Sequence, residues 1–469
     1  MIATLPYETE LPDRVGVLVL GSGLAGCAAL LAAAEAGQFA VMLEKTSAIG
    51  GSTVRSAGLS AYAGTDEQQA QGIADSAELL HEDLMEVGRH RNDERLVDLY
   101  CDHQLDTYGW LRRHGVVYGE VHAASGQSAA RSHPTDTTAM LVHLLQAAGR
   151  LGARLVLDAP AHRLVRKAGR VVGVDVRRRD GLHRVLADAV VLATGGFSQN
   201  PALLTRFAPQ MEDALRAGGV GCEGDGLLMA WQLGAGVVDT PYIKATYGHF
   251  HEPHPDEDGT GILAVYKGAI AVNREGRRFV DESLNYKEIG DLALAQPGVT
   301  TFQVLDSRVL AASSDEVPIY DFAGRVSSGL LVRGDPLAEL EQRLGLPDGA
   351  LVETVEAYNG AIRSGAPDPL GRQHLSGGVG DPFPLERPPF YAQPTGSVVL
   401  ATYCGLTVDT DLRVLDAFGD PIERLFAAGE VVGGLHGAGY MTGTSIGKAG
   451  IFGRLAGTRA AAEESELEW

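Results

Sequence analysis

Three glycines and one glutamate near the start of the chain have the types and the spacing to hold a dinucleotide. Gly21, Gly23 and Gly26 form a GxGxxG pattern, and Glu44 follows 18 residues after the last glycine. In this pattern the first glycine permits a tight turn, the second lets backbone approach a pyrophosphate, and the third lets a helix pack closely on a strand. An acid at this distance is placed to bind a ribose hydroxyl, and it disfavours a 2′-phosphate.

The segments around these residues predict the strand, helix and second strand that such a site needs. Residues 15–20 are an apolar run, an Ala/Leu-rich helix continues to Gly37, and a second apolar run spans residues 39–43. The start of that helix would present N–H groups and a positive dipole end to the phosphates. The ordered set predicts a dinucleotide-binding βαβ unit in preference to a glycine-rich turn without function.

Later segments carry glycine and hydroxyl residues that favour FAD over NAD. Residues 49–58, IGGSTVRSAG, could place hydroxyl and N–H groups along a pyrophosphate and ribityl chain. Residues 189–192 predict a short strand closed by ATGG, and Asp225 is predicted to cap a following helix. Residues 425–434, LFAAGEVVGG, are interpreted as the piece that reaches the far end of the same dinucleotide.

Together these motifs resemble the FAD-binding lobe of the fumarate reductase and succinate dehydrogenase flavoprotein superfamily, along nearly the whole chain. The resemblance implies an α/β fold, in which a Rossmann-type FAD-binding domain with a parallel sheet and helices on both faces carries an inserted α+β capping domain. We expect the FAD-binding domain at residues 1–245, the capping or substrate domain at 246–400, and the return of the FAD-binding domain at 401–469. Within the first of these, residues 154–165 and 171–177 are predicted as two strands, and within the capping domain residues 337–364 are predicted as two helices broken at residues 345–348. FAD is expected to be non-covalent, because Ser52 stands where membrane-bound relatives bond it through a histidine.

The residues expected to bind FAD lie mainly in these glycine-rich and hydroxyl-rich segments. Ala161 joins them because the family lays its backbone there against the adenine, and a helix beginning at Ser445 and Ile446 is expected to stabilise reduced flavin with its positive end. The full set is Gly21, Ser22, Gly23, Leu24, Ala25, Gly26, Glu44, Lys45, Gly50, Gly51, Ser52, Thr53, Ser56, Ala57, Gly58, Ala161, Ala193, Thr194, Gly195, Asp225, Gly429, Glu430, Ser445 and Ile446.

The chain departs from the fumarate-type pattern at three places where that pattern binds a dicarboxylate. Where the family has a proton-donating arginine, a histidine and a second arginine, this sequence has Tyr286, Ala401 and Tyr440. Without those groups a dianion would lie unpaired in a desolvated pocket, at a cost of several kcal/mol. Reduction of fumarate is therefore not expected.

Tyrosines at two of these places resemble the 3-ketosteroid dehydrogenases, and residues 440–447, YMTGTSIG, resemble their Δ4-(5α) group. The tricarballylate dehydrogenases are also similar, in part through the cap segment LGLPDGALVETVEAYN. Both groups are C–C dehydrogenases, so the resemblance supports the reaction class more strongly than the substrate.

The expected substrate is a small molecule with a carbonyl-activated C–C bond, such as a cyclic or steroid-like ketone. Tyr440 and the backbone N–H of Gly443 would polarise its carbonyl, Tyr286 would move the proton, and Thr442 would relay that proton to solvent. Hydride would pass to or from the flavin. As a base, Tyr286 needs a pKa below its usual value of about 10, and Lys287 or Tyr440 could lower it. The alternative for Tyr286 is a packed aromatic side chain.

Other assignments stay open at this point. Tyr403, Gly405 and His436 are the expected substrate contacts, although His436 could equally be structural, and residues 131–134, RSHP, could approach the flavin or the cap. The same site could run in reverse as an ene-reductase. A tricarballylate-type carboxylate dehydrogenase and a non-catalytic electron-transfer flavoprotein subunit are the further alternatives.

Composition and the remaining motifs limit the partners. The net charge of −21 on 469 residues disfavours nucleic acid and anionic membranes. No apolar run approaches the roughly 20 residues of a membrane span, and the first residues lack the apolar stretch of a signal peptide, so a cytoplasmic location is expected. The four cysteines form no CxxC pair, so an external electron acceptor is expected. The histidines of HFHEPH (His249, His251, His254) are interpreted as a loop, and no metal is expected.

Overall fold

The computed structural model describes residues 7–8, 10–252, 261–376 and 380–463. The strands are β1 (Tyr7–Glu8), β2 (Arg14–Leu20), β3 (Ala40–Leu43), β4 (Leu59–Ala61), β5 (Ser132–Pro134), β6 (Arg154–Val156), β7 (Ala161–Lys167), β8 (Arg170–Arg178), β9 (Gly181–Leu192), β10 (Leu215–Arg216), β11 (Val237–Val238), β12 (Thr246–Phe250), β13 (Ile270–Asn273), β14 (Thr301–Leu305), β15 (Val332–Gly334), β16 (Phe390–Val399), β17 (Gly405–Leu406), β18 (Arg413–Leu415) and β19 (Pro421–Ala427). The helices are α1 (Leu24–Glu35), α2 (Asp66–Ala70), α3 (Ala77–Val87), α4 (Glu94–Arg113), α5 (Thr137–Arg150), α6 (Pro201–Phe207), α7 (Asp225–Trp231), α8 (Tyr286–Leu294), α9 (Ser307–Leu310), α10 (Phe322–Ser327), α11 (Leu337–Leu344), α12 (Ala350–Ser364) and α13 (Thr444–Ala461). Short 3₁₀ turns also occur, among them Thr53–Arg55 and Gly429–Val431.

The chain divides into two compact units. The first comprises Met1–Pro209, Gly218–Ile243 and Ala401–Trp469, and the second comprises Gln210–Ala217 and Lys244–Leu400. The expected boundaries place residues 210–217 in the FAD-binding domain, whereas they group with the second unit. The reason is that β10, within this segment, pairs in parallel with β16.

The first unit is built on a largely parallel sheet with the strand order β1-β6-β3-β2-β9-β19-β18. Strand β2 lies between β3 and β9 and is parallel to both. The succession β2–α1–β3 confirms the predicted βαβ unit. Because β3 and β6 lie on one side of β2 and the later strand β9 lies on the other, the order reverses between β2 and β9. Open parallel sheets bind ligands outside the carboxyl ends of the strands at such a point.

Helices α1 and α13 pack against each other so closely that side chains are excluded between them. A Cβ atom at Gly453 would lie 2.3 Å from the carbonyl oxygen of Ala25, and one at Gly457 would lie 2.2 Å from that of Ala29. The alanine-rich sequence of α1 therefore meets a glycine-containing face of α13. This packing joins two elements from distant parts of the chain, and each of them follows a turn of the candidate site.

Two predicted strands have different lengths in the structure. The strand predicted over residues 154–165 is two strands, β6 and β7, because Asp158 has a positive φ of 51° and Pro160 cannot donate a hydrogen bond to a sheet. The strand predicted over residues 189–192 is the buried end of the 12-residue β9. Its first half is more polar and pairs with β8 as a hairpin, so hydrophobicity identified only the part in the core.

The second unit is built around β16, which pairs with β10, β12, β14 and β15. Val272, Val304, Ile289 and Ala392 belong to its buried apolar core. The two helices predicted over residues 337–364 are confirmed as α11 and α12, and Gly345 ends the first of them in the left-handed conformation. Within the described ranges, every helix is too short or too polar to cross a lipid bilayer.

Candidate active site

Three turns that are far apart in the sequence meet at the carboxyl ends of β2, β9 and β19. Gly21, with a φ of 104°, lies so close to the turn after β9 that a Cβ atom there would be 2.4 Å from the carbonyl oxygen of Ala193. Gly429 lies against the start of α1, where a Cβ atom would be 2.7 Å from the Cβ of Ala25. The GxGxxG turn, the ATGG turn and the GEV segment therefore form one site at the carboxyl edge of the sheet.

The glycine pattern contains one glycine that the protein itself does not require. A Cβ atom at Gly26 would lie 1.9 Å from the carbonyl oxygen of Gly21, so only glycine fits there. At Gly23, where φ is −69°, the nearest atom to such a Cβ would be Oγ1 of Thr53, 3.4 Å away. The space beside Gly23 thus leaves room for a ligand to approach the backbone, and the buried hydroxyl of Thr194 has no hydrogen-bond partner among the described residues. Both observations fit a bound dinucleotide.

Glu44 is buried at the end of β3 and holds the turn after β2. Its Oε2 accepts hydrogen bonds from the backbone N–H of Ser22 at 3.1 Å and from the Ser22 hydroxyl at 2.6 Å. Its Oε1 accepts hydrogen bonds from the backbone N–H and the hydroxyl of Thr46, at 2.8 and 2.9 Å. The acid predicted to bind a ribose therefore also fixes the phosphate turn.

The hydroxyl-rich loop after β3 is attached to the same turn. Oγ1 of Thr53 accepts a hydrogen bond from the backbone N–H of Leu24 at 3.0 Å, and Oγ of Ser52 accepts one from the backbone N–H of Gly219 at 3.2 Å. Hydroxyls that the sequence assigns to the cofactor thus also satisfy protein N–H groups. The remaining expected cofactor residues lie in this loop (Gly50, Gly51, Ser56, Ala57, Gly58), after β9 (Gly195) and at the start of β7 (Ala161).

Asp225 does not cap α7, so this prediction was wrong. The N-cap is Gly224, whose φ is 84°, and no side chain caps the helix. The carboxylate of Asp225 accepts a hydrogen bond from Nζ of Lys45 at 2.6 Å, and Glu223 accepts another at 2.7 Å. Burial acts to lower the pKa of Lys45, but the two acids outweigh it and the pKa lies above its usual value. Lys45, a predicted cofactor residue, therefore joins the segment after β3 to the start of α7.

Three aromatic rings from the predicted substrate and catalytic residues are in contact, and we call Tyr403, His436 and Tyr440 the aromatic trio. The ring centroids of Tyr403 and Tyr440 are 4.8 Å apart, those of Tyr403 and His436 are 5.2 Å apart, and those of His436 and Tyr440 are 5.4 Å apart. All three side chains are buried. The predicted contact Gly405 lies two residues after Tyr403, packed against the carbonyl of Val431.

The turn that carries Tyr440 is fixed from both sides. The backbone N–H of Thr442 donates to the carbonyl of Ser125 at 3.0 Å, and the amide of Gln127 donates to the carbonyl of Thr442 at 2.8 Å. Gly443, with a φ of 92°, is the N-cap of α13, which begins at Thr444. The predicted helix start at Ser445 and Ile446 is therefore one residue late, because the left-handed glycine already ends the turn.

Burial raises the pKa of Tyr440 above its usual value of 10.0. The backbone N–H groups of Gly443 and Ser445 and the Ser445 side chain act in the opposite direction, as hydrogen-bond donors to the phenolic oxygen do. The net direction keeps Tyr440 protonated at neutral pH. Its O–H can therefore donate a hydrogen bond, which suits a group that polarises a carbonyl.

Tyr286 lies in the second unit as the first residue of α8. Asn285 caps that helix by accepting a hydrogen bond from the backbone N–H of Lys287 at 2.9 Å. The half-buried ring of Tyr286 packs against the core of the second unit, and Nζ of Lys287 lies 5.4 Å from its centroid. Lys287 is buried and donates a hydrogen bond to the hydroxyl of Thr246. A cation thus stands beside the phenol that was predicted to move a proton.

Residues 131–134 have a structural role in the first unit. The fully buried guanidinium of Arg131 pairs with Asp75 at 2.7 Å and with Asp83 at 2.5 Å. His133 is also buried, and its Nε2 lies 2.7 Å from the Thr65 hydroxyl. These partners fix the segment within the first unit, and its suggested approach to the flavin or the cap stays a prediction.

The histidine cluster is only partly described. His249 lies in β12 and His251 follows that strand, while His254 lies outside the described residues. No group of metal-binding side chains occurs in the portion of the chain that the structure describes.

Sequence reasoning missed two charged residues near the aromatic trio, Lys448 and Asp239. Lys448 is 1% exposed, and its Nζ donates a hydrogen bond to the carbonyl of Val432 at 2.9 Å. Asp239 is buried and accepts a hydrogen bond from the backbone N–H of Gly434 at 2.7 Å. The available signal was a lone lysine within the glycine-rich and apolar start of α13, where a buried face is expected.

Comparison with known proteins agrees with this geometry. The chain matches the FAD binding domain family over residues 16–446. A probable fumarate reductase, Ifc3, of Shewanella frigidimarina is 32% identical over 98% of this chain and 76% of that protein. A urocanate reductase of Eggerthella lenta is also 32% identical, over 98% of this chain and 76% of that protein. The structure of a 3-ketosteroid-Δ4-(5α)-dehydrogenase from Rhodococcus jostii RHA1, in complex with 4-androstene-3,17-dione, has a TM-score of 0.77 and 28% identity, and covers 97% of this chain and 99% of that one.

These similarities agree with two observations on the structure, namely the meeting of the three turns and the space for a ligand beside Gly23. The family match includes all three turns that meet at the edge of the sheet, and the space beside Gly23 and the hydroxyl of Thr194 suit its cofactor. The similar proteins named above are reductases and a dehydrogenase. The chain belongs to the FAD-binding flavoprotein superfamily of the fumarate reductases and succinate dehydrogenases, which includes the 3-ketosteroid dehydrogenase branch, and it is an FAD-dependent oxidoreductase that acts on C=C bonds.

Proposed function

We propose that this enzyme adds or removes hydrogen across a C–C bond next to an uncharged carbonyl, and that its substrate is a neutral cyclic or steroid-like ketone. FAD, when bound, accepts or supplies the hydride. The aromatic trio carries the proposal, because Tyr440 occupies a place where the fumarate-type pattern has an arginine, and Tyr403 and His436 surround it. Phenols can hydrogen-bond a carbonyl, but they cannot neutralise a dicarboxylate.

Tyr440 is proposed to polarise the carbonyl oxygen of the substrate. Its raised pKa keeps the proton on the phenol, so the O–H donates to the oxygen that gains negative charge. The N–H groups of Gly443 and Ser445 are directed at the phenolic oxygen itself. Gly443 is thereby proposed to act on the carbonyl through Tyr440, and the direct contact of its N–H with that carbonyl stays a prediction.

Tyr286 is proposed to move the proton on the carbon next to the carbonyl. The ammonium of Lys287 lies 5.4 Å from the ring centroid, so a positive charge stands beside the ring that is proposed to exchange the proton. Thr442, which follows Tyr440 by two residues, is proposed to pass that proton to solvent. The proposal requires Tyr286 and Tyr440 to act on one substrate, and an external electron acceptor to regenerate the enzyme.

A second candidate is the reductive direction, in which the enzyme saturates a C=C bond. The similar relatives include proteins named fumarate reductase and urocanate reductase, and this observation favours it. The substrate would then be an enone, or an unsaturated acid if the aromatic trio does not select against charge. A tricarballylate-type carboxylate dehydrogenase remains the alternative for the oxidative direction.

Anaerobic absorbance of the bound flavin tests the proposal and the direction together. The oxidised holoenzyme is mixed with saturated cyclic ketones, tricarballylate or succinate, and the reduced holoenzyme is mixed with 4-androstene-3,17-dione, fumarate or urocanate. We expect bleaching by a ketone, or reoxidation by the enone, and no response to the di- and tricarboxylates. A response to carboxylates alone would overturn the proposed substrate class.

Variants of the two tyrosines test their roles. We expect Tyr440→Phe and Tyr286→Phe each to slow flavin bleaching by roughly 10²–10⁴-fold, as loss of an acid–base or polarising group does. Tyr358→Phe is the matched control, because the Tyr358 hydroxyl is buried in the second unit without a hydrogen-bond partner among the described residues. Equal effects in all three variants would show that the tyrosines matter only for packing.

A further inference from the structure

Two chain segments carry two rings of the aromatic trio, those of Tyr403 and His436, and charged side chains hold both segments. The first segment, residues 402–405, contains Tyr403, and the second, residues 429–436, ends at His436. Oε1 of Glu430 accepts hydrogen bonds from the backbone N–H of Thr402 at 2.9 Å and from its hydroxyl at 3.3 Å. A side chain of the second segment therefore fixes the backbone of the first, next to Tyr403.

The second segment is fixed in turn by two buried side chains from elsewhere. Lys448 donates a hydrogen bond to the carbonyl of Val432 at 2.9 Å, and Asp239 accepts one from the backbone N–H of Gly434 at 2.7 Å. Burial raises the pKa of both Glu430 and Asp239, and the charge of Lys448 acts against this rise on each of them. One ammonium group is thus the counter-charge for both acids that hold these segments.

The first segment is strained, so its anchor matters. Tyr403 has a φ of 58°, in the left-handed region that a bulky side chain rarely adopts. Such a residue is strained and persists only where surrounding contacts hold it. The hydrogen bonds from Thr402 to Glu430 lie directly beside it and supply such contacts.

We propose that Lys448 is a positioning residue for the aromatic trio: its buried charge keeps Glu430 and Asp239 ionised in place and thereby holds the segments that present Tyr403 and His436. Lys448, Glu430 and Asp239 would act on the site by holding the chain segments that carry two of the rings. The consequence for catalysis rests on the proposed function. Without the ammonium, the buried carboxylates of Glu430 and Asp239 would have no counter-charge. Buried acids in that state take up a proton or draw in water.

The ionisable groups around Lys448 determine how its charge, and therefore the order of the two segments, depends on pH. Glu430, Asp239 and the thiol of Cys404 act electrostatically on the ammonium, and Asp93 acts on Asp239. Burial lowers the pKa of Lys448 to about 8, and the three acidic groups act against that shift. The charge is therefore present at neutral pH and is lost as the pH rises through about 8, so we expect the two segments to loosen there.

Hydrogen exchange of backbone amides in the FAD-loaded protein tests the proposal without any substrate. In Lys448→Met, we expect exchange in residues 402–405 and 429–436 to rise by about tenfold or more at neutral pH, while α1 keeps its protection. Lys267→Met is the matched control, since Lys267 is a half-buried lysine of the second unit whose pKa burial also lowers. It should leave both segments as protected as in the wild type.

Two further measurements separate charge from packing. The double variant Lys448→Met/Glu430→Gln keeps an amide oxygen for Thr402 but has no charge at position 430, so it should restore protection in residues 402–405. After correction for the chemical exchange rate, the wild type should lose protection in both segments between one unit below and one unit above pH 8, and Lys448→Met should show no such step.

Unchanged protection in Lys448→Met would overturn the proposal. A rise in exchange that is equal in α1, β2 and the two segments would also overturn it, because Lys448 would then act only on global stability. Since no substrate is used, these results stand whether or not a ketone bleaches the flavin. A failure of the ketone test with the expected exchange pattern would reject the proposed substrate and retain Lys448 as the residue that holds the trio.

Discussion

The hydroxyl of Thr53 accepts a hydrogen bond from the backbone N–H of Leu24, the first residue of α1, over 3.0 Å. This N–H is one of the groups that a helix start offers to phosphates. The protein therefore satisfies part of its anion site itself, with a side chain from the loop after β3. Thr53 acts as a helix cap supplied from 29 residues away in the sequence.

Replacement of Thr53 by valine removes this cap and preserves the shape of the side chain. We expect the free energy of unfolding of the FAD-free protein to fall by about 1 kcal/mol, as for loss of a helix cap, with weaker FAD binding in addition. Urea unfolding and FAD titration measure the two effects. Thr458→Val, at an exposed hydroxyl of α13 that bonds Arg454, is the control, and an equal loss there would contradict the capping role.

Gly26 and Gly23 are expected to respond differently to the same added methyl group. Gly26→Ala places a Cβ atom 1.9 Å from a backbone oxygen, so it should impair folding and abolish FAD binding. Gly23→Ala meets no closer protein atom than 3.4 Å, so it should leave the unfolding midpoint of the FAD-free protein unchanged and weaken FAD binding at least about tenfold.

Gly360→Ala is the control for these two glycine variants. Gly360 lies within α12 with nothing near its Cβ position, and alanine there should stabilise the protein by about 0.5–1 kcal/mol. If Gly23→Ala lowered stability as much as Gly26→Ala, the space beside Gly23 would be needed by the protein and not by a ligand.

The raised pKa of Tyr440 predicts when its phenol ionises. Because burial favours the neutral form, the phenolate of Tyr440 should form only above pH 10. The near-ultraviolet absorbance of the wild type minus that of Tyr440→Phe should therefore show no phenolate signal between neutral pH and pH 10. A phenolate signal near neutral pH would instead assign Tyr440 as the proton-accepting base.

Asp368 is expected to stabilise the second unit only while it is ionised. Burial acts to raise its pKa, but the hydrogen bonds and charge of Arg278 outweigh burial, so its pKa is below the usual 3.8. A lowered pKa in the folded state contributes stability that is present above the unfolded pKa and is lost as the pH falls through the folded pKa. Asp368→Asn should thus lower the free energy of unfolding at neutral pH by about 1–3 kcal/mol, and the difference from the wild type should shrink in acid.

Asp315→Asn provides the comparison for Asp368, because Asp315 is an exposed carboxylate of the same unit. Urea unfolding at several pH values measures both variants. A loss for Asp368→Asn that did not depend on pH would show that the side chain contributes through packing and not through its charge.

Local chemistry made much of the cofactor site predictable. The tight turn at Gly21 and the close packing at Gly26 follow from backbone geometry within a few residues, and the structure has both. Asp225 was mispredicted for the opposite reason. Asp225 could have capped the helix only if its carboxylate had no stronger partner. Lys45, 180 residues earlier in the sequence, donates a hydrogen bond to that carboxylate.

Long-range pairing also explains what the sequence did not reveal around the trio. The role of Lys448 depends on Glu430 and Asp239, and nothing in the sequence brings Asp239 to α13. Arg131 likewise looked like a residue free to meet a ligand, whereas Asp75 and Asp83 bury it. Residue types and spacing predict local turns well, but the partner of a buried charge is decided by the tertiary fold.

The turns after β2, β9 and β19 form one site, and α13 packs on α1. This arrangement has a consequence for biosynthesis. The last of these turns is translated about 400 residues after the first. A nascent chain that has folded its first βαβ unit on the ribosome therefore holds only part of the flavin cradle. The complete flavin cradle should therefore exist only after α13 has been synthesised and has docked on α1.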